Sequence, residues 1–193
     1  VYRGNAPVQL GLSGIGGAIN IKTHTPKENE SFGQLSHRVG TFETNKTTAS
    51  FGDTYKAVNY FASIETLTSD NDFSLTNNAK TPNKTSDDFL DKRNNGEVKH
   101  FNGFLHLNSE LTTTSKITFI AQYFDKHQNL PDHINSDYNR ANLETDFLNV
   151  NLKYDYWFAS GLSSSFKSYF SQKHVLYDDR FGTLGVDKNL EKA

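Results

Sequence analysis

The chain of 193 residues contains no cysteine and no methionine, and it has only four prolines and one tryptophan. The absence of cysteine excludes disulfides and thiolate metal sites. No run of about eighteen apolar residues occurs, which argues against a transmembrane helix, as does the mean hydropathy of -0.67. The net charge of -2 leaves no basic excess of the kind that nucleic-acid-binding proteins carry.

The lack of methionine also bears on the extent of the chain. Val1 opens the sequence. A signal peptide would consist of a charged segment followed by an apolar stretch, and no such pattern precedes the first strand-like residues. We therefore expect the chain to be a piece of a larger protein.

Aromatic residues are plentiful, with 15 Phe and 9 Tyr, although only 35% of the chain is hydrophobic. Such a mixture suits strands with one apolar and one hydrated face. Period-2 alternation predicts seven strands, which are approximately 32–39, 45–51, 57–68, 98–108, 116–124, 146–156 and 162–172.

The alternation is cleanest in the sixth segment. Leu148, Val150 and Leu152 fall on one face, whereas Lys153 and Asp155 fall on the other. Charged side chains are costly in lipid or in a dry core, but they are tolerated in a watery lumen. Several segments approach the length of about 9 to 11 residues that a tilted strand needs to cross a bilayer.

The connections alternate in length. Short turns are predicted near 53–56, 111–115 and 157–161, and long polar segments lie at 69–97 and 125–145, with a short turn at 40–43 as an exception. Short turns at one end and long loops at the other are typical of outer-membrane barrels. The predicted fold is therefore all-β, an antiparallel meander that forms part of a transmembrane β-barrel.

A glycine-rich segment precedes the first alternating strand. Gly14, Gly16 and Gly17 lead into Ala18-Ile19-Asn20-Ile21-Lys22-Thr23, so no helix follows them as a phosphate-binding loop or a dinucleotide fingerprint would require. One interpretation is a tight turn before a strand. The other is that Arg3-Gly4 and this segment resemble the end of the plug domain of TonB-dependent outer-membrane receptors, although Asn5 stands where that family usually has proline.

The resemblance implies a domain division and a role for the first segment. Residues 1–25 would be the C-terminal end of a plug domain, and residues 26–193 would be about the first seven strands of a larger barrel. The boundary between the two would lie near residues 25–30. In the family, the glycines, which here are Gly11, Gly14, Gly16 and Gly17, let the plug tail turn tightly against the wall. Arg3 would pair with a barrel carboxylate or remain solvated.

The resemblance also implies a function and partners. It implies a bacterial outer-membrane receptor for energised uptake of a scarce ligand, a ferric chelate such as a siderophore or citrate. The partners would be a TonB-type energy-transducing protein, which would act through a plug segment absent from this chain, and outer-membrane lipid. No nucleic-acid partner and no cofactor are expected.

One polar stretch, Asp125 to Ile134, is the candidate ligand-contact loop. His127, Asp132 and His133 could contact a ligand or ligate a first-row metal, because imidazole and carboxylate groups suit zinc or iron. The spacing of six positions from His127 to His133 is not a recognised helical ligand spacing, and such residues also serve solubility. The sequence carries no nucleophile elbow and no HExxH motif, so no enzymatic activity is predicted.

Two other functions stay open. A non-transporting outer-membrane barrel, such as an adhesin or a porin, would share the alternation but not the plug signature. A soluble extracellular β-sandwich binding module would bury Leu148, Val150, Leu152 and Tyr154 in a protein core.

Overall fold

The computed structural model describes residues 31–132 and 140–179, and the backbone of the strand at 188–192. Within these ranges the fold is all-β, apart from one short 3-10 helix at Thr85–Asp87. The ten strands are β1 Phe32–Val39, β2 Asn45–Tyr55, β3 Val58–Ser69, β4 Ser74–Asn77, β5 Phe89–Lys92, β6 Val98–Thr112, β7 Ser115–Leu130, β8 Ala141–Trp157, β9 Ser163–Asp178 and β10 Lys188–Lys192. None of the described segments is a helix long and apolar enough to span a bilayer.

Eight strands form one antiparallel sheet in the order β1-β2-β3-β6-β7-β8-β9-β10, while β4 and β5 form a separate hairpin. The described sheet is open, with β1 at one edge and β10 at the other. The predicted antiparallel meander is confirmed, and all seven predicted strands are present as β1 to β3 and β6 to β9. The strands β4, β5 and β10 were not predicted, and β7 to β9 are longer than expected.

The ladder register aligns the apolar positions of neighbouring strands on one face. Leu152 pairs with Phe119, and Phe119 pairs with Leu107. Because successive side chains of a strand point to opposite faces, the parity of the residue numbers defines both faces. The apolar face holds the odd residues of β1, β2, β6 and β7 and the even residues of β3, β8 and β9; the polar face holds the others.

The sheet is a single layer. The backbone of each described strand lies close only to the backbones of its hydrogen-bonded neighbours, and no hydrophobic residue among the described ones is fully buried. Leu148 and Val150 are half-buried, and Leu152 is 36% exposed. The described residues thus contain no second sheet that would cover these side chains as a sandwich would.

The two ends of the sheet differ in their connections. At the turn end, short turns join β2 to β3, β6 to β7 and β8 to β9; at the loop end, residues 70–97 join β3 to β6 and residues 131–140 join β7 to β8. The predicted alternation of short and long connections therefore holds for these strands. The short turn between β1 and β2 also lies at the loop end, as predicted.

That loop-end turn is unusual because it contains no glycine at its centre. The Thr44 N–H donates a hydrogen bond to the Thr41 carbonyl at 3.2 Å. Phe42 and Glu43, between them, have φ values of 59° and 53°. Positive φ at both central residues is the feature of a type I′ turn, which matches the twist of the flanking strands.

Candidate ligand-facing surface

The residues of the predicted plug tail lie outside the described part of the chain. They are Arg3, Gly11, Gly14, Gly16 and Gly17. The proposed boundary between plug and barrel near residue 25 lies there too. These assignments remain predictions.

His127 lies in strand β7, three residues before its end, and not in a loop as expected. Its Nδ1 is 3.3 Å from Glu144 Oε1 on β8, and its Nε2 is 3.2 Å from Asn129 Oδ1. By register His127 shares the apolar face with Tyr123. It therefore does not join the polar face of the same strand.

The other two residues of the candidate loop are not brought to His127 as a site. Asp132 is exposed just beyond β7, and His133 lies outside the described residues. In the ranges that the structure describes, no three His, Cys, Asp or Glu side chains gather closely enough to hold a metal ion. Metal ligation by His127 and His133 stays a prediction.

A charged network that the sequence analysis did not predict lies on the polar face. Glu65 on β3 accepts from Lys46 Nζ on β2 at 2.9 Å, and Glu65 Oε1 is 3.1 Å from His100 Nε2 on β6. The Thr48 hydroxyl also donates to Glu65 at 3.4 Å. One carboxylate thus joins three neighbouring strands.

Amide and hydroxyl groups continue the polar face toward the turn end. Gln122 donates to Asn102, and Thr118 donates to Asn108, each at 3.4 Å. These pairs link β6 with β7. Long polar side chains on adjacent strands thus hydrogen-bond to one another across the ladder.

The polar face also carries an aromatic strip at its β1 edge. The Phe61 ring stacks with Phe32 at 5.8 Å between centroids and contacts Phe104 at 6.0 Å. The alternation between the two faces is therefore incomplete in β1, β3 and β6. These rings offer an apolar contact beside the charged network.

The two faces carry opposite charge. On the polar face of β1 to β3 and β6 to β9, seven Lys or Arg residues oppose three Asp or Glu residues, an excess of four positive charges. On the apolar face of the same strands, five acidic residues oppose only Lys99. Four of these acids, Asp125, Glu144, Asp146 and Asp178, lie near the loop end.

The long connection between β3 and β6 is folded and anchored. Phe73 contacts Phe42 of the β1–β2 turn at 6.0 Å, and the Arg93 guanidinium lies 5.1 Å from the Phe73 ring. The Asn95 amide donates to the carbonyls of Leu130 and Ala141 at 2.9 and 3.0 Å. The connection is therefore tied both to the first turn and to the ends of β7 and β8.

An ion pair closes the base of the β4–β5 hairpin. The hydrogen bond from Lys92 lowers the pKa of the Asp72 carboxyl below its ordinary value, and the same bond raises the pKa of the Lys92 ammonium. Both groups lie in the loop-end connection and face solvent. Their pairing orders the hairpin without a buried contact.

The described geometry can therefore present a positively charged, hydroxyl-rich surface on one face of the sheet, next to the folded connection at the loop end. A comparison with protein-family models finds no match for this chain, and a comparison with curated protein sequences finds none either. The strand alternation could have indicated which residues lie on the polar face. The network of Lys46, Glu65 and His100 could not be found that way, because it depends on the register of three strands.

Proposed function

We propose that this chain forms part of the wall of a transmembrane β-barrel in the bacterial outer membrane, and that the barrel is a receptor for energised uptake of a scarce ligand. One observation carries the first step. A single-layer sheet has an apolar face that nothing covers in the described residues, and an opposite face lined with charges, amides and hydroxyls.

The dimensions of the apolar face suit a membrane. On β8 this face carries no charge from Leu148 to Tyr156. At about 3.4 Å per residue this is about 27 Å of strand, or about 20 Å of height at a tilt of about 40°, close to the apolar band of about 25 Å in such barrels. Beyond Leu148, toward the loop end, Asp146 and Glu144 follow on the same face.

The receptor step depends on the resemblance of the first segment to a plug tail and on the anchored loop-end connection. A folded loop above a polar surface is a suitable place for ligand binding, because binding groups accumulate on loops held by a rigid scaffold. The proposed partners are a TonB-type energy-transducing protein, a metal chelate and outer-membrane lipid. A ferric chelate is the ligand that the resemblance implies.

The membrane step can be tested with one residue pair. Leu152 and Asn151 are neighbours on β8 that lie on opposite faces. We expect Leu152→Arg to reduce insertion into lipid vesicles by about 2 to 4 kcal/mol, the cost of Arg at the lipid-facing midplane of a barrel. Asn151→Arg, the matched control, should insert like the parent chain. Equal insertion of both variants, or full solubility of the parent without detergent, would contradict a membrane wall.

The transport step needs cells. Under iron depletion, cells with the intact gene should grow better than cells without it. This difference in growth should disappear when the energy-transducing protein is deleted. A barrel that inserts normally but gives no energy-dependent uptake would be a non-transporting adhesin or porin. That outcome would overturn the receptor step and leave the membrane step standing.

A further inference from the structure

The basic residues of the polar face are not scattered. Arg38, Lys46, His100 and Lys126 lie on one transverse row across the sheet, because Arg38 pairs with Lys46, Leu67 pairs with both Lys46 and His100, and His100 pairs with Lys126. Neighbouring strands are about 4.8 Å apart, so the row extends over about 19 Å. We call these four residues the basic row.

The basic row is incompletely neutralised. Glu65 contacts Lys46 and His100. Among the described residues, Arg38 and Lys126 make no ion pair. A guanidinium and an ammonium therefore remain at the two ends of the row without a carboxylate partner.

The Arg38 end of the row has the form of a binding site. Arg38, Lys46 and Glu65 line a concavity of about 210 Å³ between β1, β2 and β3. Its remaining lining groups are the Gln34 amide and the hydroxyls of Ser36, Thr48 and Ser50. A guanidinium fork, an ammonium and several hydroxyl donors form the donor set that binds a carboxylate or phosphate group.

We propose that the basic row binds a small anion with several negative charges, such as an oligocarboxylate or a polyphosphate. One anionic group would accept both N–H bonds of the Arg38 fork and a bond from Lys46. A second group of so small an anion would lie next to Lys46, and Lys126, about 14 Å further along the row, would act on the anion only through its long-range electrostatic field. Glu65 holds Lys46 and His100 in place.

This inference deepens the proposed function, because it gives the charge class of the solute that the polar face accepts. It depends on that function only for the access of water to the face. The two can fail separately: a chain that inserts into vesicles but binds no anion would overturn the inference alone.

The test is calorimetry on the full chain in detergent micelles, with citrate and pyrophosphate as separate probes at low ionic strength. We expect at least one probe to bind, and Arg38→Gln to weaken that binding about tenfold or more, since charge-assisted hydrogen bonds are the strong ones. Lys126→Gln should weaken it less. Stronger binding of citrate would assign a carboxylate ligand, and stronger binding of pyrophosphate would assign a phosphate ligand.

The matched control is Lys99→Gln, which removes a cation from β6 on the opposite face. It should leave binding unchanged, and Arg38→Lys should give an intermediate affinity because it keeps the charge and loses the fork. Circular dichroism of each variant would verify the sheet. Equal losses in Lys99→Gln and Arg38→Gln, or binding of neither probe, would overturn the proposal.

Discussion

At the scale of single residues, the molecule places ordinary side chains in backbone conformations that usually favour glycine. Phe42 and Glu43 in the first turn, Lys56 in the second, and Asn95 in the long connection all have φ between 50° and 60°. Each of these positions joins or anchors strands. The ring contact of Phe42 with Phe73 offsets part of the cost of its left-handed conformation.

Glu43 makes no such ring contact, which leads to a prediction. Glu43→Gly should stabilise the β1–β2 hairpin by about 0.5 kcal/mol, because relief of the left-handed penalty of about 1 kcal/mol exceeds the entropy lost by glycine. Thermal unfolding in micelles would measure it. Thr41→Gly, in the same turn but without positive φ, should destabilise the hairpin, so stabilisation by both variants would refute the backbone explanation.

The Asp72–Lys92 pair gives a second prediction at this scale. The pKa of Asp72 is lowered, so its contribution to the hairpin is present above the pKa of the unfolded carboxyl and is lost as the pH falls through the folded value. The pKa of Lys92 is raised, so its contribution is lost only as the pH rises through that higher value. The ion pair should therefore stabilise the hairpin at pH values between the lowered pKa of Asp72 and the raised pKa of Lys92.

A carbon-detected NMR titration would check this. The Asp72 carboxyl should titrate below the usual midpoint of about 3.9, and Lys92→Gln should move the midpoint back toward it. An Asp72 midpoint that does not respond to Lys92→Gln would assign the shift to another cause.

At the scale of elements, alternation was sufficient where it was regular. β3 and β8 were predicted because apolar residues recur at every second position from Val58 to Ile64 and from Leu148 to Tyr156, although Phe61 interrupts the polar positions of β3. The end of strand β7, residues 125–130, was missed because Asp125 to Gln128 are polar on both faces, so no period-2 signal remains. A period-2 signal in the sequence depends on a difference in hydropathy between the two faces, and residues 125–128 have none, although their exposure alternates.

The hairpin β4–β5 was missed for a different reason. Its strands have four residues each and are separated by a polar segment that contains a 3-10 turn. Short strands in a polar connection look like a loop in the sequence. The basic row could not be predicted from the sequence either, because a shift of one residue in the pairing of two strands moves a side chain to the other face.

Asn95 supports the most specific prediction about an element. Asn95→Asp replaces an amide donor with a carboxylate beside two carbonyl oxygens, those of Leu130 and Ala141. We expect the ends of β7 and β8 to lose about 1 to 3 kcal/mol of local stability, at about 0.5 to 1.5 kcal/mol for each lost hydrogen bond. Amide hydrogen exchange at these ends would show it.

Asn95→Gly serves as the control, because glycine keeps the positive φ and removes only the amide. It should lose less than the aspartate variant. If both variants exchange like the parent chain, the Asn95 amide does not anchor β7 and β8.

At the scale of the whole molecule, the sheet has large hydrophobic side chains exposed on its apolar face and no layer over them in the described residues. Leu35, Ile64 and Phe166 are 77%, 50% and 63% exposed. An exposed patch of this kind promotes association in water.

We therefore expect the chain to depend on detergent. Size-exclusion chromatography with light scattering should show a defined protein–detergent particle, and removal of the detergent should convert it into aggregates. A non-ionic and a zwitterionic detergent should give the same result, because the apolar face and not its charges requires cover. A monodisperse monomer in plain buffer would contradict this expectation.

The ladder between β3 and β6 has a consequence for how the protein can change. It runs without interruption from the Val58–Ser109 pair to the Ser69–Val98 pair, so residues 70–97 leave and rejoin the sheet at adjacent positions. The excursion carries its own hairpin and ion pair. Evolution or engineering can therefore exchange the part of this excursion before Asn95 for another one and alter the loop-end surface, while the strands beneath keep their pairing.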